Sequence, residues 1–201
     1  MRVIKLGGSL LGSPELVHWL KVLVKNQQES TVIVPGGGLF ADAVREAQKL
    51  SGIHDDYAHR LAVLAMDQFG LLLAGMNPAL ATASDAQEIL QKTALKQAAI
   101  WLPSRMVLAD ASIPMHWQIT SDSLSAWLAA ELNASELILV KSVPIQEHQP
   151  VNPAMLEKLS RGGLVDACFA EFVAGHSFRT RVLGKQDYAA YDKGLDYGQA
   201  P

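Results

Sequence analysis

The feature that most constrains the fold is a pair of glycine-rich stretches, Lys5-Leu6-Gly7-Gly8-Ser9 and Pro35-Gly36-Gly37-Gly38, each standing directly after a short apolar run. Residues 2–6 and 31–35 read as buried β-strands, and each loop leads towards a helical pattern. Glycine backbone thus falls at the carboxyl ends of two strands, the edge of an open α/β sheet where ligands bind. There, backbone amides approach an anion closely, and the following helix N-terminus adds unpaired donors and a favourable dipole. Lys5, closing the first strand, adds a cation. Two anion cradles with a lysine between them suit a transfer between anions, and phosphoryl transfer is the first expectation.

The rest of the chain alternates strand and helix. Ser13 and Pro14 open a helix carrying Leu16, Leu20 and Leu23 at helical spacing, and the second loop enters a helix with Phe40, Val44 and Ala47 on one side. Asp55 and Asp56 precede a long helix over 57–76, on which His59, Met66 and Gly70 share a face and Asp67 flanks it. Ser84 and Gln87 have capping-box spacing for a short helix through Lys92. Residues 98–102 read as a strand, Thr120-Ser121-Asp122 as the start of a helix, and 136–140 as a strand ending at Lys141-Ser142. Asn152-Pro153 starts a helix, Gly162-Gly163 separates it from another over 164–174, and 178–183 is a last strand. The pattern predicts a three-layer αβα sandwich with a largely parallel central sheet.

Composition narrows the function classes. A chain of 201 residues, 49% apolar and 18% charged, buries enough surface for one domain, expected over 1–184, with a loosely packed polar tail over 185–201. A net charge of -3 carries none of the basic footprint of a nucleic-acid binder. Cys168 stands alone, which excludes an internal disulfide and gives no support to a cysteine-rich metal site. The greasy stretch 61–76 is interrupted by Asp67, Gln68 and Gly70 and falls short of the roughly 20 apolar residues of a membrane span. The N-terminus has no signal-peptide pattern, so a cytoplasmic protein is expected, with no membrane and no nucleic-acid partner.

Three phosphate-binding schemes compete for the loops. Gly7 and Gly12 have Walker spacing, but Ser13 and Pro14 follow where Lys and Ser or Thr are needed, so the P-loop is rejected. Gly36, Gly38 and Ala41 match a dinucleotide fingerprint, yet no acidic residue ends a following strand. A dinucleotide-dependent oxidoreductase therefore stays as a minor alternative. The third scheme is a resemblance. Lys5 to Ser9, Gly36 to Gly38, Thr120 to Leu124, Lys141 and Gly162-Gly163, taken in order, resemble the amino acid kinase family, whose members include acetylglutamate, aspartate, uridylate and isopentenyl phosphate kinases. The stretches around Val34, His59, Asp67 and Trp117 look most like the branch that phosphorylates [5-(aminomethyl)furan-3-yl]methyl phosphate to its diphosphate in methanofuran biosynthesis.

The resemblance implies an ATP-dependent kinase in which Lys5 and Lys141 contact the transferring phosphoryl group and Asp122 organises them. Gly7, Gly8 and Ser9 would cradle phosphate, with Ser142, Val143, Gly162 and Gly163 beside the nucleotide. Gly36, Gly37, Gly38, His59, Asp67 and Thr120 would face the acceptor. Mg2+ would be held mainly by the nucleotide phosphates, and a homo-oligomer is expected. The chain departs from the family pattern in two places: Pro144 and Ile145 replace the usual aspartate and glycine, and Asp166 stands near where a late lysine would be. A non-catalytic oxyanion-binding protein remains the alternative of another class.

Overall fold

In the computed structural model, which describes residues 1–26, 29–146 and 150–194, six strands form one sheet in the order 3-4-2-1-5-6, with every neighbouring pair parallel. They are β1 (Arg2–Leu6), β2 (Thr31–Pro35), β3 (Ala81–Ala83), β4 (Ala99–Trp101), β5 (Glu136–Lys141) and β6 (Arg179–Gly184). Parallel strands need crossovers, and helices supply them: α1 (Pro14–Lys25), α2 (Gly38–Ser51), α3 (Asp55–Met76), α4 (Ala86–Ala94), α5 (Ser104–Val107), α6 (Ser121–Glu131), α7 (Pro153–Arg161) and α8 (Phe169–Val173), while α9 (Tyr188–Asp192) follows the last strand. The middles of β2, β4 and β5 run apolar because both faces are covered. Val3, Val32, Val34, Leu137 and Leu139 meet Leu124 and Leu128 of α6 and Phe169 of α8. On the other face, Ile4, Leu6, Ile33, Ile138 and Val140 meet Leu16, Trp19 and Leu20 of α1. This is the expected three-layer αβα sandwich.

Strand order positions the site. From β1 the chain builds outwards through β2 and later returns to the opposite side as β5, so the topological switch point lies between β1 and β5. The carboxyl ends of these strands carry Lys5, Gly7 and Lys141. Their opposite ends carry an ion network in which buried Glu136 meets Arg2 at 2.9 Å and Arg181 at 3.0 Å.

Several local expectations shift. β3 had not been expected, since Ala81-Thr82-Ala83 is too short and too poor in β-branched or aromatic side chains to signal a strand. The cap of α4 is Asp85, one residue beyond Ser84: Asp85 accepts from the Glu88 amide at 2.8 Å, and Glu88 accepts from the amide of the preceding Ser84 at 2.7 Å. The predicted helix over 164–174 is helical only from Phe169, because Asp166 is drawn towards α6. Within the expected tail, residues 185–194 pack on α1: Trp19 donates to the Lys185 carbonyl at 2.9 Å, Tyr191 lies against Trp19, and Lys25 pairs with Asp192 at 2.8 Å. Residues 195–201 lie outside the described residues. No helix among the described residues is long and apolar enough to cross a membrane.

Candidate active site

The two lysines rise from the strands flanking the switch point. Lys5 is in register with Leu139, so Lys141, two residues further on, shares its sheet face. Helix α6 covers that face and presents Asp122 from its first turn, where the helix dipole favours a carboxylate. Lys5 Nζ lies 2.9 Å from Asp122 Oδ1, and Lys141 Nζ donates to Oδ2 at 2.7 Å. All three side chains are nearly sealed from solvent, at 8%, 11% and 7% exposure for Lys5, Lys141 and Asp122.

Burial and the neighbouring charges set the protonation. Burial pushes the Lys141 ammonium down, Lys5 pushes it further, and Asp122 and Asp166 oppose both, leaving it at about 8. Burial also pushes the Asp122 carboxyl up, but the two ammonium groups outweigh this and hold it below its ordinary value. Two cations thus converge on the carboxylate of Asp122 in a buried site, an arrangement suited to an anion.

The glycine loops complete it. A β-carbon on Gly7 would lie 3.6 Å from Lys5 Nζ and 3.5 Å from Ser9 Oγ, so ammonium, hydroxyl and open backbone stand side by side. The two loops touch through main chain: a β-carbon on Gly8 would lie 2.1 Å from the Gly38 nitrogen, and one on Gly36 2.4 Å from the Gly8 nitrogen. The Gly36 amide donates to the Leu6 carbonyl at 2.9 Å, and Gly38 takes a left-handed φ of +53°. Side chains are excluded from this junction, which leaves amides at the sheet rim.

The other residues singled out in the sequence fall as follows. Ser142 and Val143 continue from Lys141, and the Val143 carbonyl passes over Gly184, where a β-carbon would lie 3.0 Å away. Gly162 caps α7 and Gly163, at φ +66°, turns the chain; both are exposed and deliver the loop that carries Asp166. Thr120 caps α6, its hydroxyl accepting from the Asp122 amide at 3.4 Å. His59 is buried with Nδ1 3.2 Å from the His116 carbonyl, while its Nε2 is buried with no hydrogen-bond partner among the described residues. Burial pushes His59 below its ordinary pKa, and His116 and Arg60 add to this against the pull of the carbonyl. Asp67 accepts from the Ser104 amide at 3.1 Å and so ties α3 to the start of α5. Near the second loop, Trp117 donates to Gln48 at 2.7 Å and Arg45 stacks 4.6 Å over its ring.

One participant was not assigned a role from sequence. Asp166 Oδ2 accepts from the Thr120 amide at 2.9 Å, the Thr120 hydroxyl at 2.8 Å and the Ser123 amide at 3.0 Å, and Oδ1 accepts from the Ser123 hydroxyl. Its sole sequence signal is the acidic side chain at a place where the family pattern has a cation.

The chain that carries this site has counterparts among known proteins. The model of the amino acid kinase family matches residues 1–160. A [5-(aminomethyl)furan-3-yl]methyl phosphate kinase of Methanocaldococcus jannaschii is 36% identical over 146 residues, 71% of this chain and 66% of the relative, so the match spans just under two thirds of that relative's length. Uridylate kinase of Archaeoglobus fulgidus superposes with a TM-score of 0.72 at 21% identity, over 96% of this chain and 95% of that one. Aspartate kinase from Synechocystis gives a TM-score of 0.71 at 18% identity, over 92% of this chain and 38% of that one. These two likenesses establish the fold, and the family match extends from it to the sequence: the chain belongs to the amino acid kinase family.

Proposed function

We propose that the chain is an ATP-dependent kinase that transfers the γ-phosphoryl group to an anionic acceptor, [5-(aminomethyl)furan-3-yl]methyl phosphate, giving its diphosphate in methanofuran biosynthesis. The observation that carries this is Asp122 held between Lys5 at 2.9 Å and Lys141 at 2.7 Å, with the Gly7 backbone alongside. The 36% identity to the furan phosphate kinase supports the choice of acceptor. An acceptor phosphate oxygen attacks the γ-phosphorus as the bond to the β-phosphate oxygen breaks, and ADP leaves. The attacking oxygen is already ionised near neutral pH, so a general base is dispensable.

What remains for the protein is alignment and charge. Lys5 and Lys141 stabilise charge spreading over the equatorial oxygens. Gly7, Gly8 and Ser9 hold the transferring phosphate, and Ser142, Val143, Gly162 and Gly163 border the nucleotide. Gly36, Gly37, Gly38 and Thr120 hold the acceptor, with His59 and Asp67 as further contacts, for instance to its aminomethyl cation and its phosphate. ATP fits the rim because amides and ammonium groups converge there. Mg2+ carried in on the nucleotide would supply charge neutralisation at its phosphates. Asp122 is already engaged by two ammonium groups, which suits a metal carried in on the nucleotide.

Association with a second copy belongs to the same proposal. Tyr57, Leu61, Leu64 and Leu71 are all exposed on α3, and at intervals of four, three and seven they form one stripe along a 22-residue helix. Such a stripe is self-complementary about a two-fold axis.

The test is incubation with Mg-ATP and the furan phosphate, followed by 31P NMR. New phosphoanhydride signals with matching ADP are expected. Acyl phosphate formed from aspartate or glutamate would move the acceptor to a carboxylate, turnover of isopentenyl phosphate would move it to that monoester, and ATP binding without any product would favour an oxyanion-binding protein.

A further inference from the structure

Two carboxylates crowd the first turn of α6, and one suffices to pair the lysines. Asp122 does the pairing, and Thr120 already supplies the helix cap. Asp166 takes four further donors there, from both the amides and the hydroxyls of Thr120 and Ser123. Its own backbone is held in turn, the Phe169 amide donating to the Asp166 carbonyl at 3.2 Å and the Ser160 hydroxyl at 3.4 Å. A neutral Asn or Ser offers a single acceptor oxygen, whereas Asp166 takes donors on both of its own. These contacts therefore call for a carboxylate.

We infer that Asp166 is a positioning residue for phosphoryl transfer: its carboxylate clamps the first turn of α6 so that Asp122 stands between Lys5 and Lys141, and it sets a second carboxylate at the helix start that faces the lysine pair. The inference rests on reading Lys141 as a phosphate contact. The charged groups facing Lys141 are Lys5 from β1, Asp122 from α6 and Asp166 from the segment before α8. With Asp166 in place, two ammonium groups are set against two carboxylates. Without it, two ammonium groups share Asp122 alone. Lys141 already sits at about 8 with Asp166 supporting it, so the loss of that support moves its titration towards neutral pH and removes the cation where an enzyme works. The acidic residue in place of a further cation then has a function: it maintains a cation that burial would otherwise discharge.

The experiment titrates 15N-labelled lysines by NMR in the unliganded chain, parent against Asp166→Asn, and measures kcat against pH with Mg-ATP and the furan phosphate. In Asp166→Asn the Lys141 midpoint falls by about half a unit or more, and the alkaline limb of kcat moves with it. Ser123→Ala loosens the clamp and keeps the charge, so kcat falls severalfold with the midpoint unmoved. Should Asp166→Asn fail to fold by circular dichroism, Asp166→Glu keeps the charge while displacing the clamp, and the Lys141 midpoint is expected to stay at about 8. A Lys141 midpoint unchanged in Asp166→Asn, or shifted down in Asp166→Glu, overturns the inference and leaves the kinase proposal standing. A parent without turnover of the furan phosphate removes that acceptor, and the lysine titration still decides the role of Asp166.

Discussion

Lys5 and Lys141 stand two residues out of step on neighbouring parallel strands, and their ammonium groups converge on opposite oxygens of Asp122, at 2.9 and 2.7 Å. Two like charges are thereby held close before any phosphate arrives, and the reorganisation that would otherwise accompany its binding is already complete.

Loss of either ammonium group removes a preorganised donor. Lys5→Ala and Lys141→Ala are each expected to lower kcat by about a hundredfold to a thousandfold while the chain remains folded. Steady-state rates beside far-ultraviolet circular dichroism check this, and unchanged turnover in a folded variant would remove that lysine from the mechanism. Asp122→Ala is expected to act differently, destabilising the fold by about 3 to 5 kcal/mol in urea titrations, because two buried ammonium groups lose their counter-charge.

Lys141 also sets an alkaline limit. Its folded pKa of about 8 lies below the ordinary 10.5, so between these values the unfolded chain binds the extra proton. Stability contributed by this group therefore rises with pH across that window, by on the order of 1 kcal/mol per unit, while activity falls as the ammonium is lost. Urea midpoints from pH 8 to 10.5 should rise more steeply in the parent than in Lys141→Met. Parallel slopes in the two proteins would refute the assignment.

His59 acts on the acid side. Burial holds it below the ordinary 6.5, so the unfolded chain takes up a proton first and stability falls as pH drops below that value and through the folded pKa. Replacing it by Gln should flatten the acid limb of the thermal-melting profile between pH 7 and about 5. A limb of undiminished slope in His59→Gln would assign the sensitivity elsewhere.

Gly8→Ala places a methyl group 2.1 Å from the Gly38 nitrogen, so the two loops must separate. Overpacking of this kind costs about 1 to 3 kcal/mol, and the separation widens the gap between donor and acceptor cradles. The expected result is a lowered melting temperature together with a loss of kcat of about a hundredfold. Full activity in Gly8→Ala would show that the loops yield freely.

The exposed stripe on α3 gives a further expectation. Sedimentation equilibrium should report a dimer or larger assembly, and Leu64→Glu should shift it towards the 21.7 kDa monomer. A monomeric parent at all accessible concentrations would leave the stripe unpaired.

The parallel sheet was legible in sequence because it rests on local signals, apolar runs at 2–6 and 31–35 with glycines directly after them, whereas Lys141 was singled out through the family resemblance. β3 was hidden because three residues centred on Thr82 carry almost no strand propensity, and its identity comes from pairing with Ala99 to Trp101. The register of the α4 cap was displaced because Ser84 and Asp85 are both good cap residues, and the reach of Glu88 back to the Ser84 amide decides between them. Asp166 was visible as an anomaly and silent as to its role, since Thr120 and Ser123 lie 46 and 43 positions away. Contacts over such separations leave no periodic trace.

The contact between Gly8 and the main chain at Gly36 and Gly38 bears on how a chain of this kind changes over generations. A replacement at position 8 or 36 collides with the other loop's peptide backbone, so no exchange of side chains on the opposing loop makes room for it. Each loop thus freezes the other. Variation in what the site takes has to arise elsewhere, in side chains away from this junction, while the floor where the two loops meet stays as it is.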